Sequence, residues 1–191
     1  MNILDIIDNI KIKTIYGNLP ERVNNISQDS RKIGKGDVFI AIKGYTVDGH
    51  NYIEKVIEQG AALVIASRYE DYSVENCAVI VVKEHEIEKI ASMIAKKINE
   101  GSDVHTVAVT GTNGKTSIST LVHNMLRNLG ESSAYIGTNG FGKNDDKLIY
   151  FGNTTPDVVT LHNQIGELRK EKINNLAFEA SSHAMALGRI Y

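Results

Sequence analysis

The chain has 191 residues, 42% of them hydrophobic and 23% charged, which is enough to bury a core in one large or two small domains and too apolar for a disordered tail. Its net charge of −2 is spread along the chain, with no Lys/Arg block and no basic stripe interleaved with aromatics, and this argues against nucleic acid as a partner. No apolar run approaches transmembrane length, and acids stand at the N-terminus where a signal peptide has a basic region, so a cytoplasmic location without membrane insertion is expected.

In chain order, residues 37–42 read as a strand, 51–59 as a helix closed by Gly60, and 62–66 and 78–82 as further strands. This alternation implies an α/β unit with a parallel or mixed sheet. Cys77, the single cysteine, sits in the last of these apolar runs and reads as a small buried hydrophobe. Tyr69 and Tyr72 read as solvated surface. Over 86–98 the apolar positions Ile87, Ile90, Ala91, Ile94, Ala95 and Ile98 mark one helical face, and the polar stretch 99–103 follows. The expected domains are therefore 1–102 and 103–191.

The second unit opens on an apolar strand that enters a Gly-rich turn, Thr110-Gly111-Thr112-Asn113-Gly114-Lys115-Thr116, and then a helix. Glycines there let backbone N–H groups converge on phosphate oxygens, an ammonium reaches the outer phosphates, and a hydroxyl can ligate Mg²⁺. The spacing departs from a strict Walker loop, because Gly111 stands only three residues before Gly114. Ile118, Leu121, Val122, Met125, Leu126 and Leu129 follow the helical template, so this helix is expected to bury that face and to end on Gly130 at C′. A strand is expected at 132–136 and a Gly/Asn/Asp-rich turn at 137–147. The next helix has Thr155 as expected N-cap, Pro156 at N1 and Asp157 in the first turn, with Val158, Leu161, Ile165 and Leu168 on one face, and its N-terminus is a second expected anion site. Residues 176–180 read as a buried strand ending in Glu179, followed by Ser181 and His183, at the strand edge where α/β proteins bind ligands. The charged run 169–172 reads as solvated surface.

Three separated features agree: the loop at 111–116, Asn153-Thr154-Thr155-Pro156, and Glu179-Ala180-Ser181-Ser182-His183 with Arg189 beyond it. With Asp29-Ser30-Arg31, residues 36–41 and Tyr45-Thr46-Val47-Asp48-Gly49-His50, the chain resembles the Mur ligases, specifically the MurE type. The resemblance implies an α/β fold: a small N-terminal UDP-MurNAc-binding domain, then an incomplete P-loop-type central domain, without the family's C-terminal domain. It implies ATP-driven addition of a third amino acid, L-lysine or meso-diaminopimelate, to UDP-MurNAc-L-Ala-D-Glu through an acyl phosphate. It further implies that Thr110, Gly111, Thr112, Asn113, Gly114, Lys115 and Thr116 wrap the ATP phosphates, that Lys115 and Glu179 are catalytic, and that Thr116 and Glu179 hold Mg²⁺. Ser30, Tyr45, Thr46 and Val47 would anchor uracil and ribose. Asn153, Thr154, Thr155, Ser181 and Arg189 would hold the diphosphate, sugar or peptide.

The motifs leave Arg31 open between a phosphate contact and a brace through Asp29. His50 and His183 lack a paired nucleophile and a spaced metal partner in the sequence, and both read as supporting groups. Relative to the family the central sheet is expected to be incomplete, with residues 107–110 under-covered and the isolated chain not active alone; self-association or partial disorder there would follow. Two other readings are another ATP-dependent amide ligase, such as a folylpolyglutamate synthase, and a non-catalytic UDP-sugar-binding module.

Overall fold

The computed structural model describes residues 7, 10–44, 47–101, 103–143, 148–150, 152–186 and 190. The chain divides into two compact units, Met1–Ile98 and Asn99–Tyr191.

The first unit carries strands β1 (Thr14–Tyr16), β2 (Ile26–Ser27), β3 (Val38–Ile40), β4 (Leu63–Ala66) and β5 (Ala78–Val81), and helices α1 (Ile53–Glu58) and α2 (Ile87–Ile98). The sheet order is β1-β5-β4-β3-β2. The pairs from β2 to β5 are parallel, with Val38 opposite Leu63 and Leu63 opposite Ala78, and β1 closes the edge antiparallel to β5. Every residue of β3, β4 and β5 is buried, as strands covered on both faces must be. Ile53 and Val56 of α1 enter the core with Phe39, Val64 and Val79. Helix α1 ends as the sequence predicts: Gly60 takes φ +95°, its N–H bonds the Ile57 carbonyl, and the Ala61 N–H bonds that of Val56, a Schellman closure. Tyr69 and Tyr72 are not solvated surface. Tyr69 stacks on Tyr16 at 3.7 Å, meets Tyr72 edge-on and donates its hydroxyl to the Tyr72 carbonyl, because all three rings cap one end of the apolar core. Burial pushes the Tyr72 phenol up to about 12. It does the same to the Cys77 thiol, again about 12, in keeping with a packed, unreactive cysteine.

The second unit carries β6 (His105–Val109), α3 (Lys115–Asn128), β7 (Ser133–Gly137), β8 (Gly140–Gly142), α4 (Val158–Lys170), β9 (Asn175–Glu179) and the short α5 (Ser182–Ala186). The order is β6-β9-β7-β8, with β6, β9 and β7 parallel and β8 returning antiparallel on β7. The stretch expected as a plain turn after Gly137 thus holds a strand: a tight turn at Thr138 and Asn139 lets Gly140 pair with Gly137. Leu161 and Leu168 of α4 pack on Ala134, Ile136, Leu176 and Phe178.

Two expectations about helices are corrected. Most of the apolar stripe of α3 does not face the core: Ile118, Leu121, Met125 and Leu129 are 51–77% exposed, Val122 and Leu126 are half-buried, and the buried positions are Ser119 and His123. A hydrogen bond between His123 Nδ1 and Ser133 Oγ (3.0 Å) ties the polar side to β7, and the buried Ser119 hydroxyl is satisfied within the helix by the Lys115 carbonyl (2.7 Å). The edge strand β6 is likewise exposed except at Val109. Second, the N-cap of α4 is Asp157, not Thr155. Its carboxylate accepts from the Thr160 N–H at 2.9 Å, so that first-turn amide is already engaged by the cap. Among the described residues, no helix is long and apolar enough to cross a membrane.

Candidate active site

The carboxyl ends of β6, β9 and β7 lie side by side, since Val109 pairs with Glu179 and Ile136 with Phe178. The loop after β6 therefore stands against the ends of the other two strands. Gly111 (φ +143°) and Gly114 (φ +80°) take backbone conformations that side chains disfavour, and Gly114 caps α3 without a side-chain acceptor. The first-turn amides of α3 are thereby left to other partners, and the helix dipole adds to their attraction for an anion. Lys115 folds back over the loop, its Nζ donating to the Gly111 carbonyl at 2.6 Å and the Thr112 carbonyl at 3.3 Å.

Glu179 ends β9 with 0% exposure. A buried carboxylate is costly unless donors surround it, and four do. Oε1 accepts from the Tyr135 hydroxyl at 2.5 Å and the Thr138 N–H at 2.9 Å. Oε2 accepts from Thr116 Oγ1 at 3.0 Å and Thr138 Oγ1 at 3.1 Å. Thr138 Oγ1 is also 3.1 Å from Thr154 Oγ1; with its one proton on Glu179 it accepts from Thr154. Gly137 has no room for a side chain, because a Cβ there would lie 2.1 Å from Glu179 Oε1 and 2.2 Å from the Tyr135 hydroxyl oxygen. Burial, reinforced by the Glu179 carboxylate, raises the Tyr135 phenol well above its ordinary range and keeps it a donor.

Thr155 ties its segment to the same strand end. Its hydroxyl donates to the Glu179 carbonyl at 2.7 Å and accepts from the Ser181 N–H at 3.1 Å, while Ser181 Oγ accepts from the Ala184 N–H and caps α5. Asn153 is exposed beside them, and His183 is exposed on α5. The second unit thus gathers Lys115, Thr116, Thr154, Thr155, Glu179 and Ser181 in one neighbourhood. Arg189 lies outside the described residues. Tyr135 and Thr138 are the participants that motif reading misses. Their signal was a lone hydroxyl ring in a small apolar strand and a Gly-Thr step at its end.

The first unit holds the remaining positions. Ser30 is buried at the start of a short 3-10 turn. Val47 is exposed, its carbonyl accepting from the Gly44 N–H, and Tyr45 and Thr46 lie outside the described residues. Arg31 braces its own loop, donating Nε and a terminal nitrogen to the two Asp29 oxygens at 2.9 and 2.8 Å, and this contact lowers the Asp29 pKa. His50 is buried, with Nδ1 2.7 Å from Asp48 Oδ1 and Nε2 accepting from both the Ser67 N–H (3.1 Å) and the Ser67 hydroxyl (3.0 Å). A hydroxyl partner that the sequence did not reveal is therefore present, but the second bond from the Ser67 amide makes the imidazole a pin between two loops. Burial opposes ionisation of Asp48, yet the amide and ring of His50 and the Arg68 guanidinium outweigh it and hold the carboxyl at about 2.

Residues 22–109 match the Mur ligase family catalytic domain and residues 109–191 the Mur ligase middle domain. The chain belongs to the Mur ligase family. Members of the family are ATP-dependent amide ligases. This Mur ligase chain is 38% identical over its whole length to a UDP-N-acetylmuramoyl-L-alanyl-D-glutamate--L-lysine ligase of Staphylococcus haemolyticus, of which it covers 38%. It is 36% identical over its whole length to UDP-N-acetylmuramyl-tripeptide synthetase 2 of Oceanobacillus iheyensis, covering 39% of it. A solved UDP-N-acetylmuramoyl-L-alanyl-D-glutamate--2,6-diaminopimelate ligase superposes with a TM-score of 0.79 at 26% identity, over 99% of this chain and 37% of that one. The chain therefore spans a little over a third of the length of these relatives.

Proposed function

We propose that this chain carries the ATP-phosphate and nucleotide-sugar sites of a cytoplasmic ligase in peptidoglycan precursor synthesis. That ligase adds the third amino acid, L-lysine or meso-diaminopimelate, to UDP-MurNAc-L-Ala-D-Glu. The observation that carries this reading is the buried Glu179 held 3.0 Å from the loop hydroxyl of Thr116. ATP with Mg²⁺ would supply the phosphoryl group that turns the dipeptide's free carboxylate into an acyl phosphate open to amine attack.

The residues present fit that pair of ligands. Loop amides at 111–116 and the uncapped start of α3 suit phosphate oxygens, and Lys115 would exchange its two carbonyl partners for the outer phosphates. Thr116 and Glu179 present only oxygen, the donor a hard cation prefers. Asn153, Thr154, Ser181 and Arg189 would receive the diphosphate, sugar or peptide. Thr155, whose hydroxyl is engaged on both sides, would hold that segment in shape. Ser30, Tyr45, Thr46 and Val47 would anchor the uridine.

Calorimetry on the 191-residue chain tests this. Mg²⁺-dependent ATP binding is expected, weakened about 10–100-fold in Lys115→Ala through loss of charge-assisted hydrogen bonds, with binding of UDP-MurNAc-L-Ala-D-Glu unchanged. Binding of the UDP-sugar peptide without ATP would favour a non-catalytic module, and a folded chain that binds neither would overturn the assignment.

A further inference from the structure

Glu179 has two carboxylate oxygens in different surroundings, and the difference has a chemical consequence. Oε1 faces the rigid side of the site: the Tyr135 hydroxyl on β7, one strand over, and the Thr138 backbone N–H, both at short distance. Oε2 faces the phosphate loop and meets two hydroxyls, from Thr116 and Thr138, at 3.0 and 3.1 Å. The threonine hydroxyl oxygens can swing away about χ1 or turn a lone pair toward an incoming cation, whereas the backbone amide offers no lone pair and the oxygen of the buried phenol is held in place by its ring. The absence of a side chain at Gly137 belongs to the same arrangement, since a Cβ there would strike both Oε1 and the Tyr135 hydroxyl.

From this asymmetry we infer that Tyr135 is a positioning residue: with the Thr138 amide it clamps Oε1 of Glu179 and so presents Oε2 to a divalent cation at the phosphate loop. The inference rests on the cation-binding role proposed above for Glu179. Tyr135 does not touch the cation; it sets the rotation of the carboxylate that does, the usual part of an outer hydrogen-bond partner at a metal site. Thr138 Oγ1, by contrast, occupies Oε2 and is displaced by the cation.

The test is Mn²⁺ affinity of the 191-residue chain with a non-hydrolysable ATP analogue, read from the electron paramagnetic resonance of free Mn²⁺, with melting temperature and metal-free nucleotide affinity measured alongside. Tyr135→Phe is expected to weaken Mn²⁺ binding about tenfold or more, with metal-free nucleotide binding and melting temperature little changed. Thr138→Ala, which removes one of the two hydroxyls on Oε2 and keeps the amide, is expected to leave Mn²⁺ affinity within about threefold, below the range typical of an orienting partner. Gly137→Ala, whose methyl would strike Glu179 Oε1 itself, displaces the carboxylate directly and is expected to weaken Mn²⁺ binding at least as much. Wild-type Mn²⁺ affinity in a folded Tyr135→Phe, with loss in Glu179→Gln, would overturn the positioning role and leave the cation site standing. Unchanged affinity in Glu179→Gln would overturn both. If Tyr135→Phe does not fold, the hydroxyl is a structural tie and the positioning role is overturned.

Discussion

Burying Glu179 is affordable only because four donors from three residues reach it, and the half-buried Asp48 in the first unit is likewise ringed by donors from His50 and Arg68. Asp48 is held at about 2 against an ordinary 3.8, so its ionised form is favoured by folding. For a depressed acid the sign is fixed: its contribution is full above about pH 4 and disappears as pH falls through the folded value near 2. Asp48→Asn is expected to cost about 2 kcal/mol at pH 7, the worth of hydrogen bonds to a charged group, and the gap from wild type should close between pH 4 and pH 2 in denaturant melts. A gap that stays constant with pH would show that the charge is not what stabilises this corner. At this scale the sequence is informative about chemistry. An acid inside the apolar run 176–180 already demanded a partner, and Asp29 beside Arg31 already offered a brace. It was silent about Tyr135 and Thr138, which reach Glu179 from 44 and 41 residues away through strand register.

Helix ends were legible where a glycine marks them and illegible where two capping residues compete. Gly130 closes α3 as expected, its N–H bonding the Arg127 carbonyl and the Glu131 N–H that of Leu126. Helix α4 closes the same way with a lysine: Lys172 sits at φ +58°, its N–H on the Arg169 carbonyl and the Ile173 N–H on that of Leu168. A side chain in the left-handed region costs about 1 kcal/mol. Lys172→Gly should therefore raise stability by about 0.5–1 kcal/mol in urea unfolding, and a neutral or destabilising result would count against the strain. At the other end of α4, Thr155 and Asp157 both suit an N-cap. The hydroxyl of Thr155 is taken by the Glu179 carbonyl and the Ser181 amide, and this leaves the cap to Asp157. Asp157→Ala is expected to cost about 1 kcal/mol in the same measurement, which Thr155 cannot make good.

Across the whole chain, the largest departure from sequence reading is α3. Periodicity identifies Ile118, Leu121, Met125 and Leu129 as one face, but they stand exposed while Ser119 and His123 are buried. Because these side chains contribute little to the fold, Leu121→Glu and Leu129→Lys should shift unfolding by no more than about 0.5 kcal/mol, whereas Leu161→Ala or Leu168→Ala on α4 should cost about 2–5 kcal/mol. Equal costs at the two helices would mean that α3 is covered after all. Exposure of Val107 and Ala108 in β6 agrees with the expectation that residues 107–110 are under-covered, although Val109 is buried.

The sequence by itself determined the α/β alternation, the Gly-rich turn at 111–116 and its helix, the glycine helix ends and the family, because each depends on residues close together along the chain. Only the tertiary structure decided which side of α3 turns inward, which residue caps α4, and that Tyr135, Thr138 and Thr116 meet on one carboxylate. The meeting on Glu179 depends on parallel strand register, which places residues more than forty positions apart within hydrogen-bond reach, and the other two outcomes depend on the tertiary contacts of Thr155 with Glu179 and Ser181 and of His123 with Ser133, none of which a local pattern encodes.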